Sequence, residues 1–287
     1  MPIIRPFLFL AGESGVTLMA TFHRELWSHT CVAKRFVLDT DGLHRENNNE
    51  KLSGVIYFAD VEDKSIEHHN LTLLRDNCIP CWPDPGLLLS LGNRHDALHK
   101  AHELGFIDHQ IWQGTHAMLG DLLSSMPMPF VLKTGTMHQG HDKHLINCTA
   151  DLPDEWDGFA SAEPFFDGVS YRVLVVGCEH AVIRIDNEQS WVKNGPGADI
   201  DVLDNNRLDD SQEKMVEHAL RCSAAFNLEV AGVDYVIDDD GLHFLEVNWF
   251  PGLAVGGDFE QHASRFLDEK MTRVEGLFEL AIGAPGG

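Results

Sequence analysis

Residues 224–253 read AAFNLEVAGVDYVIDDDGLHFLEVNWFPGL, and the rest of the chain is best interpreted outward from this stretch. Two apolar runs flank the turn residues DDDG, a pattern that predicts a β-hairpin. Residues two apart on a strand share one face, so Glu246 and Asn248 should point in the same direction. The stretch therefore predicts a hairpin with two oxygen-bearing side chains on one face.

Asp234 lies on the first predicted strand and joins that face only if the register places it opposite Glu246. This register requires an odd-length loop, such as residues 239–241, with Gly241 at positive φ. A four-residue loop without a bulge would break the site. The residues between the oxygen donors should then pack against the core. They are Val233, Tyr235, Leu245 and Val247.

Three oxygen donors, two of them anionic, form a partial shell of the kind that Mg²⁺ completes with water and phosphate oxygens. On spacing alone, an alternative stays open. Glu246 and Asn248 could simply end a solvated edge strand before the turn at Pro251 and Gly252.

The whole run resembles the C-terminal lobe of RimK-like and glutathione-synthetase-like ATP-grasp ligases, in which a GVD strand precedes a Glu-x-Asn triplet, a proline and a glycine. The resemblance implies an α/β fold with α+β lobes, namely the ATP-grasp fold behind an N-terminal α/β subdomain. It also implies ATP and two Mg²⁺ ions, with Mn²⁺ as an alternative, held by Asp234, Glu246 and Asn248.

The upstream segment PFVLKTGTMHQG supplies a candidate phosphate site. Lys133 falls inside an otherwise apolar strand, where a lysine is costly to bury without an anion. Gly135 and Gly140 border a loop whose backbone amides could cover the nucleotide phosphates. The resemblance implies the same nucleotide-binding role for these three residues.

The segment SAEPFFDGVSYRVLVVG resembles the hinge between the lobes of these ligases, which implies that Glu163 and the backbone after it bind adenine. Pro164 lacks an amide, so the amide of Phe165 or Phe166 should replace it. Many relatives carry an acidic residue for the ribose where this chain has Ser170. The ribose contact is therefore assigned to Ser170 or to Asp167.

Four cations are expected to converge on the cleft. Arg172 and Arg184 lie on the predicted strands YRVLVVG and HAVIRID, at positions that the resemblance aligns with contacts to the γ-phosphate and the acyl phosphate. Lys193 and Asn194, in WVKNG, resemble a family segment before the metal-binding lobe. Together with Lys133 these cations would form an anion site, and ordinary surface charge is the alternative.

Composition limits the choice of partner. The chain has 287 residues, with 21 Lys plus Arg against 45 Asp plus Glu and a formal charge of -24. Such an excess disfavours nucleic acids and anionic membranes as partners. Six scattered cysteines favour reduced thiols in a cytoplasm. A homo-oligomer is compatible with the sequence.

Turn-rich segments divide the chain into an N-terminal subdomain (1–90), a lobe with the phosphate loop (91–158) and a lobe with the metal site (159–287). A helix over residues 211–226 is expected, with Asp210 and Glu213 forming its capping box. The polar segment 186–206 should be a surface loop.

Three histidines have helical spacing on a predicted helix from residue 94 to 104. His95, His99 and His102 stand at i, i+4 and i+7, which zinc sites also use. No cysteine or further carboxylate is obviously supplied nearby. A solvated histidine face is therefore the favoured interpretation, with a metal site as the alternative.

The predicted activity is ATP-dependent ligation of a small-molecule carboxylate and an amine through an acyl phosphate, with release of ADP and phosphate. Three alternatives stay open. The acceptor could be a peptide or protein side chain, the chain could be a non-catalytic ATP-binding regulator, or it could be a phosphotransferase.

Overall fold

The computed structural model describes residues 7–10, 30–32, 36–39, 42–45, 54–57, 64–135, 142–187, 190–193, 197–249, 251–253 and 255–283. The strands are β1 (Phe7–Leu10), β2 (Thr30–Val32), β3 (Phe36–Asp39), β4 (Gly42–Arg45), β5 (Val55–Tyr57), β6 (Cys81–Trp82), β7 (Trp112–Gly114), β8 (Phe130–Lys133), β9 (Lys143–Ile146), β10 (Ala160–Pro164), β11 (Val169–Val176), β12 (Glu179–Asp186), β13 (Asp199–Val202), β14 (Val230–Asp238) and β15 (Gly241–Asn248). The helices are α1 (Lys64–Asp76), α2 (Pro85–Leu91), α3 (Arg94–Glu103), α4 (Leu119–Ser125), α5 (Asp210–Ala225) and α6 (Gly257–Gly283).

The chain divides into two compact units, one made of residues 1–91 with 252–287 and the other of residues 92–251. In the first unit, β2, β1, β5 and β6 form a parallel sheet in that order. Strands β3 and β4 form a separate antiparallel pair. Trp82 packs edge-on against Phe266 of α6, with ring centroids 6.0 Å apart. This sheet is an α/β layer, as the alternating apolar runs predicted.

The second unit contains two antiparallel sheets. The first has the order β7-β10-β8-β9 and covers a buried apolar cluster that includes Leu122, Phe130, Leu132 and Ile146. The second has the order β13-β12-β11-β14-β15. Helix α5 packs on one face of this second sheet.

Helix α5 is amphipathic, as its apolar spacing predicted. Its buried residues include Met215, Ala219 and Cys222. The capping box, however, begins one residue earlier than predicted. Asp209 accepts hydrogen bonds from the amides of Ser211 and Gln212, and the Gln212 side chain accepts one from the Asp209 amide. The sequence DDSQE offers two aspartates in a row, so the pattern alone did not decide which one caps the helix.

The segment predicted to be a surface loop contains regular structure. Strand β13 pairs antiparallel with β12 at the sheet edge, and residues 205–207 form a 3₁₀ turn. All four residues of β13 are exposed. The sequence DIDV does alternate polar and apolar residues, but four residues inside a polar segment are a short signal, and Ile200 and Val202 are both exposed at the sheet edge.

The predicted three-part division differs from this arrangement in two places. Strand β10 is hydrogen-bonded within the sheet of β7–β9, although it lies beyond the predicted border at residue 158. Residues 252–287 group with the N-terminal unit instead of the metal-site lobe. The division into three subdomains otherwise stays a prediction, and the helix expected near residues 16–28 lies outside the described residues. Within the part that is described, no helix is both long and apolar enough to span a membrane.

Candidate active site

The β14–β15 hairpin places Asp234 directly opposite Glu246. Asp238 pairs with Gly241, so the loop consists of residues 239–240. Gly241 has a φ of +136°, which side-chain-bearing residues rarely adopt. A loop of two residues would by itself place Leu245 opposite Asp234. A bulge between residues 234 and 235 of the ladder shifts the register by one residue and brings Glu246 there instead.

The predicted pairing of Asp234 with Glu246 is therefore present, but the predicted odd-length loop is wrong. The bulge, which leaves Leu245 as the extra residue, supplies the one-residue shift that the loop was expected to supply. Val233, Tyr235 and Val247 are buried, as the alternation predicted. Leu245 instead lines a cavity beside Glu246, because a bulge interrupts the alternation of side chains.

The cavity has a volume of about 420 Å³, within the range of small-ligand sites. Its wall is formed by residues of both sheets of the second unit, by residues 164–168 between them, and by residues 187 and 190–193. They are Val131, Lys133, Lys143, Glu163, Pro164, Phe165, Phe166, Asp167, Gly168, Ser170, Tyr171, Ile185, Asn187, Ser190, Trp191, Val192, Lys193, Asp234, Tyr235, Val236, Leu245 and Glu246. Most of the candidate residues named from the sequence thus line one cavity.

Lys133 and Glu163 form a buried ion pair in the cavity wall. Lys133 Nζ lies 2.6 Å from Glu163 Oε1, and the two side chains are 3% and 4% exposed. Their strands are neighbours, with Lys133 paired to Ser161 in register. The sequence argument held that a buried lysine needs an anion. Glu163 supplies that anion from within the chain, so burial of Lys133 alone does not require a phosphate.

Lys143 is a cavity-lining cation that the sequence interpretation missed. It is the register partner of Lys133 on the neighbouring strand, and both residues line the cavity. Among the described residues, no carboxylate lies within ion-pair distance of Lys143. Treating residues 134–142 as a hairpin loop would have placed KHLI beside FVLK and identified the second lysine. Lys143 is therefore available for an anionic ligand.

Glu246 is a partly buried carboxylate among several cations, with its side chain 18% exposed. Burial raises the pKa of its carboxyl group, but the nearby charges of Lys143, Arg94, Lys133 and Arg172 outweigh that effect and hold the pKa well below its usual range. Its Oε2 atom is buried and accepts no hydrogen bond from the residues described. The cavity wall thus contains a carboxylate with one oxygen that accepts no hydrogen bond from the residues described.

Arg172 holds Asp234 through a two-pronged contact. Its Nε and Nη2 atoms donate to Oδ1 and Oδ2 of Asp234 at 2.6 and 2.7 Å. The Asp234 carboxylate raises the pKa of the Arg172 guanidinium above its usual range. A carboxylate has about four lone-pair sites, so Asp234 can accept these bonds and still bind a cation. Arg172 does not line the cavity itself. It contributes to the cavity by holding the carboxylate of Asp234, which does line it.

Arg94, at the start of α3, is a second residue that the sequence interpretation missed. Its Nη1 lies 3.1 Å from both carboxylate oxygens of Asp142, and its Nε lies 3.6 Å from Glu246 Oε2. Its Nη1 also approaches the Gly135 carbonyl at 3.5 Å. Arg94 therefore links three elements around the cavity. No local pattern marked it, because its partners lie 41 to 152 positions away along the chain.

In the hinge-like segment, one of the two amides predicted to bind adenine already donates a hydrogen bond within the chain. The Phe165 N–H donates to the Pro129 carbonyl at 3.1 Å. Of the two amides proposed for adenine, Phe166 is thus the remaining candidate. Ser170 and Asp167, the two ribose candidates, both line the cavity.

Of the two predicted residues Lys193 and Arg184, only Lys193 lies in the cavity wall. Lys193 lines the cavity, where its Nζ donates to Asp186 Oδ1 at 3.1 Å. Arg184 pairs with Tyr171 across the ladder while Arg172 pairs with Ile183, so the two arginines lie on opposite faces of the sheet. Arg184 is half-exposed and outside the cavity lining. Of the four cations, Lys133 and Lys193 line the cavity and Arg172 and Arg184 do not, so the catalytic role of Arg184 stays a prediction.

Some candidates do not lie in the cavity wall. Gly135 sits beside Asp142, which would be 3.1 Å from a Cβ at that position. Asn248 shares the Glu246 face but is not part of the lining. Gly140 and Asn194 lie outside the described residues. Their nucleotide and catalytic roles stay predictions.

The three histidines of α3 do not form a site. His95 is buried, with its Nδ1 3.1 Å from Ser161 Oγ, whereas His99 and His102 are exposed. Burial lowers the pKa of His95. The favoured solvated face holds for His99 and His102 alone, because α3 turns His95 towards the first sheet.

Asp234 and Glu246 fit a hard divalent cation. The Asp234 and Glu246 carboxylates lie opposite each other, and the pKa of Glu246 is depressed while its Oε2 accepts no hydrogen bond from the residues described; such carboxylates are the donors that Mg²⁺ uses together with phosphate ligands. Asn248 extends the same face with an amide oxygen. The residues on this face therefore agree chemically with the predicted metal ligands.

Comparisons with known proteins agree with the fold. The profile of the RimK-like ATP-grasp domain matches residues 167–272. The chain is similar in structure to D-alanine–D-alanine ligase from Bacillus anthracis, with 14% identity, a TM-score of 0.67 and coverage of 96% of this chain and 99% of that one. VanG D-Ala:D-Ser ligase from Enterococcus faecalis has 12% identity, a TM-score of 0.69 and coverage of 94% and 99%.

A third similar structure is the ATP-grasp ligase PsnB in complex with a minimal precursor. It has 12% identity, a TM-score of 0.61 and coverage of 93% of this chain and 99% of that one. No curated protein sequence matches the chain. The predicted mixed α/β fold with an N-terminal α/β layer is confirmed. Residues 167–272 therefore match a RimK-like ATP-grasp domain, and the chain has the fold of the D-alanine–D-alanine ligase and of the ATP-grasp ligase PsnB.

Proposed function

We propose that the protein is an ATP-dependent ligase that joins a carboxylate to an amine through an acyl phosphate and releases ADP and phosphate. The arrangement around Glu246 carries this proposal, since this carboxylate has a lowered pKa, lies among Lys133, Lys143, Arg94 and Arg172, and has one oxygen that accepts no hydrogen bond from the described residues. Such alternation of charges suits a metal-bound polyphosphate. The ATP-grasp fold supports the same activity.

ATP lies in the cavity with its phosphates towards Lys133 and Lys143. Phe166 and its neighbours hold the base, and Ser170 or Asp167 binds the ribose. Asp234, Glu246 and Asn248 hold one or two Mg²⁺ ions, for which Mn²⁺ can substitute. Mg²⁺, when bound there, neutralises and orients the phosphates.

The chain's own residues act by positioning and charge neutralisation. Lys143 lacks an internal ion pair among the residues described, so it is free to offset charge on the transferred phosphoryl group. Arg172 fixes the Asp234 carboxylate, and Arg94 fixes Glu246 and the start of β9 through Asp142. A substrate carboxylate attacks the γ-phosphorus, and the amine then displaces phosphate from the acyl phosphate. No covalent enzyme nucleophile is needed.

An ADP-release screen over amino acids and short peptides tests the proposal. We expect ADP and phosphate in equal amounts, with one carboxylate and one amine consumed for each ATP. Glu246→Ala should abolish this turnover, whereas Glu179→Ala, an exposed change at the far end of β12, should leave it intact. Turnover that survives Glu246→Ala would refute the metal assignment. A stable phosphorylated product with no amine consumed would indicate a phosphotransferase instead.

A peptide or protein acceptor is the second candidate. Similarity to PsnB over 93% of this chain favours it, because that ligase was solved with its precursor, and in another complex with Mg and ADP as well. Adding peptides encoded beside the gene to the same screen distinguishes the two. Mass loss of one water from a peptide would identify a crosslinking ligase, whereas a mass gain of one amino-acid residue would identify an adding ligase.

A further inference from the structure

Two buried histidines and a carboxylate meet beside the hinge-like segment, outside the lining of the nucleotide cavity. One potential ligand atom from each of Asp108, His109 and His243 lies within 4.8 Å of the other two. In the described part of the chain, this is the one group of three metal-ligating side chains that meets this distance. Asp108 and His109 precede β7, and His243 lies in β15. The cluster therefore joins segments of the two sheets.

The two imidazole rings are largely buried, and three of their four ring nitrogens have no hydrogen-bond partner among the described residues. The His109 side chain is 8% exposed and the His243 side chain 13% exposed. Both ring nitrogens of His109 and Nδ1 of His243 are buried and form no hydrogen bond with any described residue. Buried polar atoms are nearly always satisfied in native proteins, so three unsatisfied nitrogens in one cluster need an explanation.

His243 is held in the orientation of a metal ligand. Its Nε2 lies 2.8 Å from Asp238 Oδ1. Because an ionised carboxylate only accepts hydrogen bonds, Nε2 carries the proton and Nδ1 of the neutral ring carries a lone pair. A carboxylate behind the far nitrogen is the usual support of a metal-binding histidine.

His109 has a carboxylate beside each of its nitrogens, both too distant for a hydrogen bond. Nδ1 lies 3.7 Å from Asp108 Oδ1, and Nε2 lies 4.0 Å from Glu163 Oε2. That Glu163 oxygen is also buried without a hydrogen-bond partner among the described residues. An ion beside Nδ1 and Asp108 would leave the Nε2 proton facing Glu163. A single bound cation would thus give Nδ1 of His109 a partner and leave the Nε2 proton directed at the Glu163 carboxylate.

Aromatic packing alone does not explain the cluster. Phe166 stacks on His243 with ring centroids 3.9 Å apart, and it meets His109 edge-on at 5.0 Å. These contacts account for the burial of the two rings. They supply no hydrogen-bond partner in the ring planes, where the nitrogen lone pairs and N–H groups point.

We propose that Asp108, His109 and His243 bind a divalent transition-metal ion, with Zn²⁺ as the best match and water completing its shell. Two imidazoles and one carboxylate suit Zn²⁺, whereas Mg²⁺ prefers oxygen ligands alone. Asp108 is 82% exposed, which leaves a position open to water. None of the three ligands lines the cavity, so the site is distinct from the proposed Mg²⁺ site, although the cavity residues Phe166 and Glu163 lie beside the two histidines.

Metal titration of the full chain tests the site. The protein, free of any histidine tag and stripped with EDTA, is titrated with ZnCl₂ by calorimetry in the presence of excess MgCl₂. We expect one Zn²⁺ per chain that Mg²⁺ does not displace. His243→Gln and His109→Gln should weaken binding by more than about 100-fold, and Asp238→Asn by roughly 10- to 100-fold, as is typical of outer-shell carboxylates.

Two further variants keep the test decisive. Asp108→Asn changes an exposed residue, so it should stay folded even if a histidine variant does not, and it should weaken Zn²⁺ binding at least about 10-fold. The matched control, His99→Gln/His102→Gln, removes two exposed histidines of α3 and should bind Zn²⁺ like the wild type. Absence of Zn²⁺ binding by the wild type, unchanged binding by Asp108→Asn, or loss of binding in the control would each overturn the proposal.

Discussion

The buried Lys133–Glu163 pair offers a way to separate stability from ligand binding. Lys133→Met leaves the Glu163 carboxylate buried without its cation. Removing one partner of a buried ion pair costs about 3–5 kcal/mol of unfolding free energy. The pair is 3% and 4% exposed with its atoms 2.6 Å apart, so solvent screening does not reduce this value.

The double variant Lys133→Met/Glu163→Leu removes both charges. Replacing a buried pair by apolar side chains is often neutral or stabilising. The double variant should therefore be at least about 2 kcal/mol more stable than Lys133→Met alone. Arg207→Ala, in an exposed ion pair with Asp204, is the control and should change stability by no more than about 0.5 kcal/mol.

Urea unfolding followed by circular dichroism measures these differences, and calorimetry measures ADP binding by the same variants. Both variants that lack Lys133 should bind ADP at least about 10-fold more weakly, as expected from the loss of a charged hydrogen bond. A double variant as unstable as the sum of its single changes would refute the buried-pair reasoning. Wild-type ADP affinity in the double variant would refute the phosphate role of Lys133.

Three further predictions concern the backbone, pH and helix capping. Gly241→Ala should lower the unfolding free energy by about 1–3 kcal/mol in urea melts. The cause is the φ of +136° at this position, since no atom lies close enough to clash with an added Cβ. Gly120→Ala in α4 should instead raise the unfolding free energy by about 0.5–1 kcal/mol. Burial lowers the pKa of His95; the charges of Arg94 and Lys133 reinforce this effect, and those of Asp142 and Asp96 oppose it. The unfolded chain therefore binds a proton at a higher pH than the folded chain does. The free energy of unfolding should accordingly fall as the pH drops below about 6.5, by at most about 1.4 kcal/mol per pH unit. His95→Gln should flatten unfolding free energies measured between about pH 7 and 5, and an unchanged slope would contradict this origin. Asp209→Ala should cost about 1 kcal/mol of stability and Asp210→Ala much less, and the reverse order in thermal melts would mean that the predicted cap was right after all.

Local sequence was sufficient for the regular elements close to the site. Alternation predicted the strands around Val233 and Val247, because burial of one face imposes a period of two on any strand. Helical spacing predicted α5 for the same kind of reason. The GVD and Glu-x-Asn patterns identified Asp234 and Glu246 as a pair, and proline and glycine marked where the chain turns.

The tertiary structure alone decided how that pair is achieved and what surrounds it. The bulge beside Leu245 carries no local signal, since it depends on register across two strands. Arg94 and Lys143 reach Glu246 from distant elements, and long-range charge proximity cannot be read from spacing. Lys133 was expected to need a ligand, but a strand pairing supplies Glu163 as its counter-ion. Periodicity is a property of each segment, whereas the electrostatic environment of the site belongs to contacts that form only when the sheets pack.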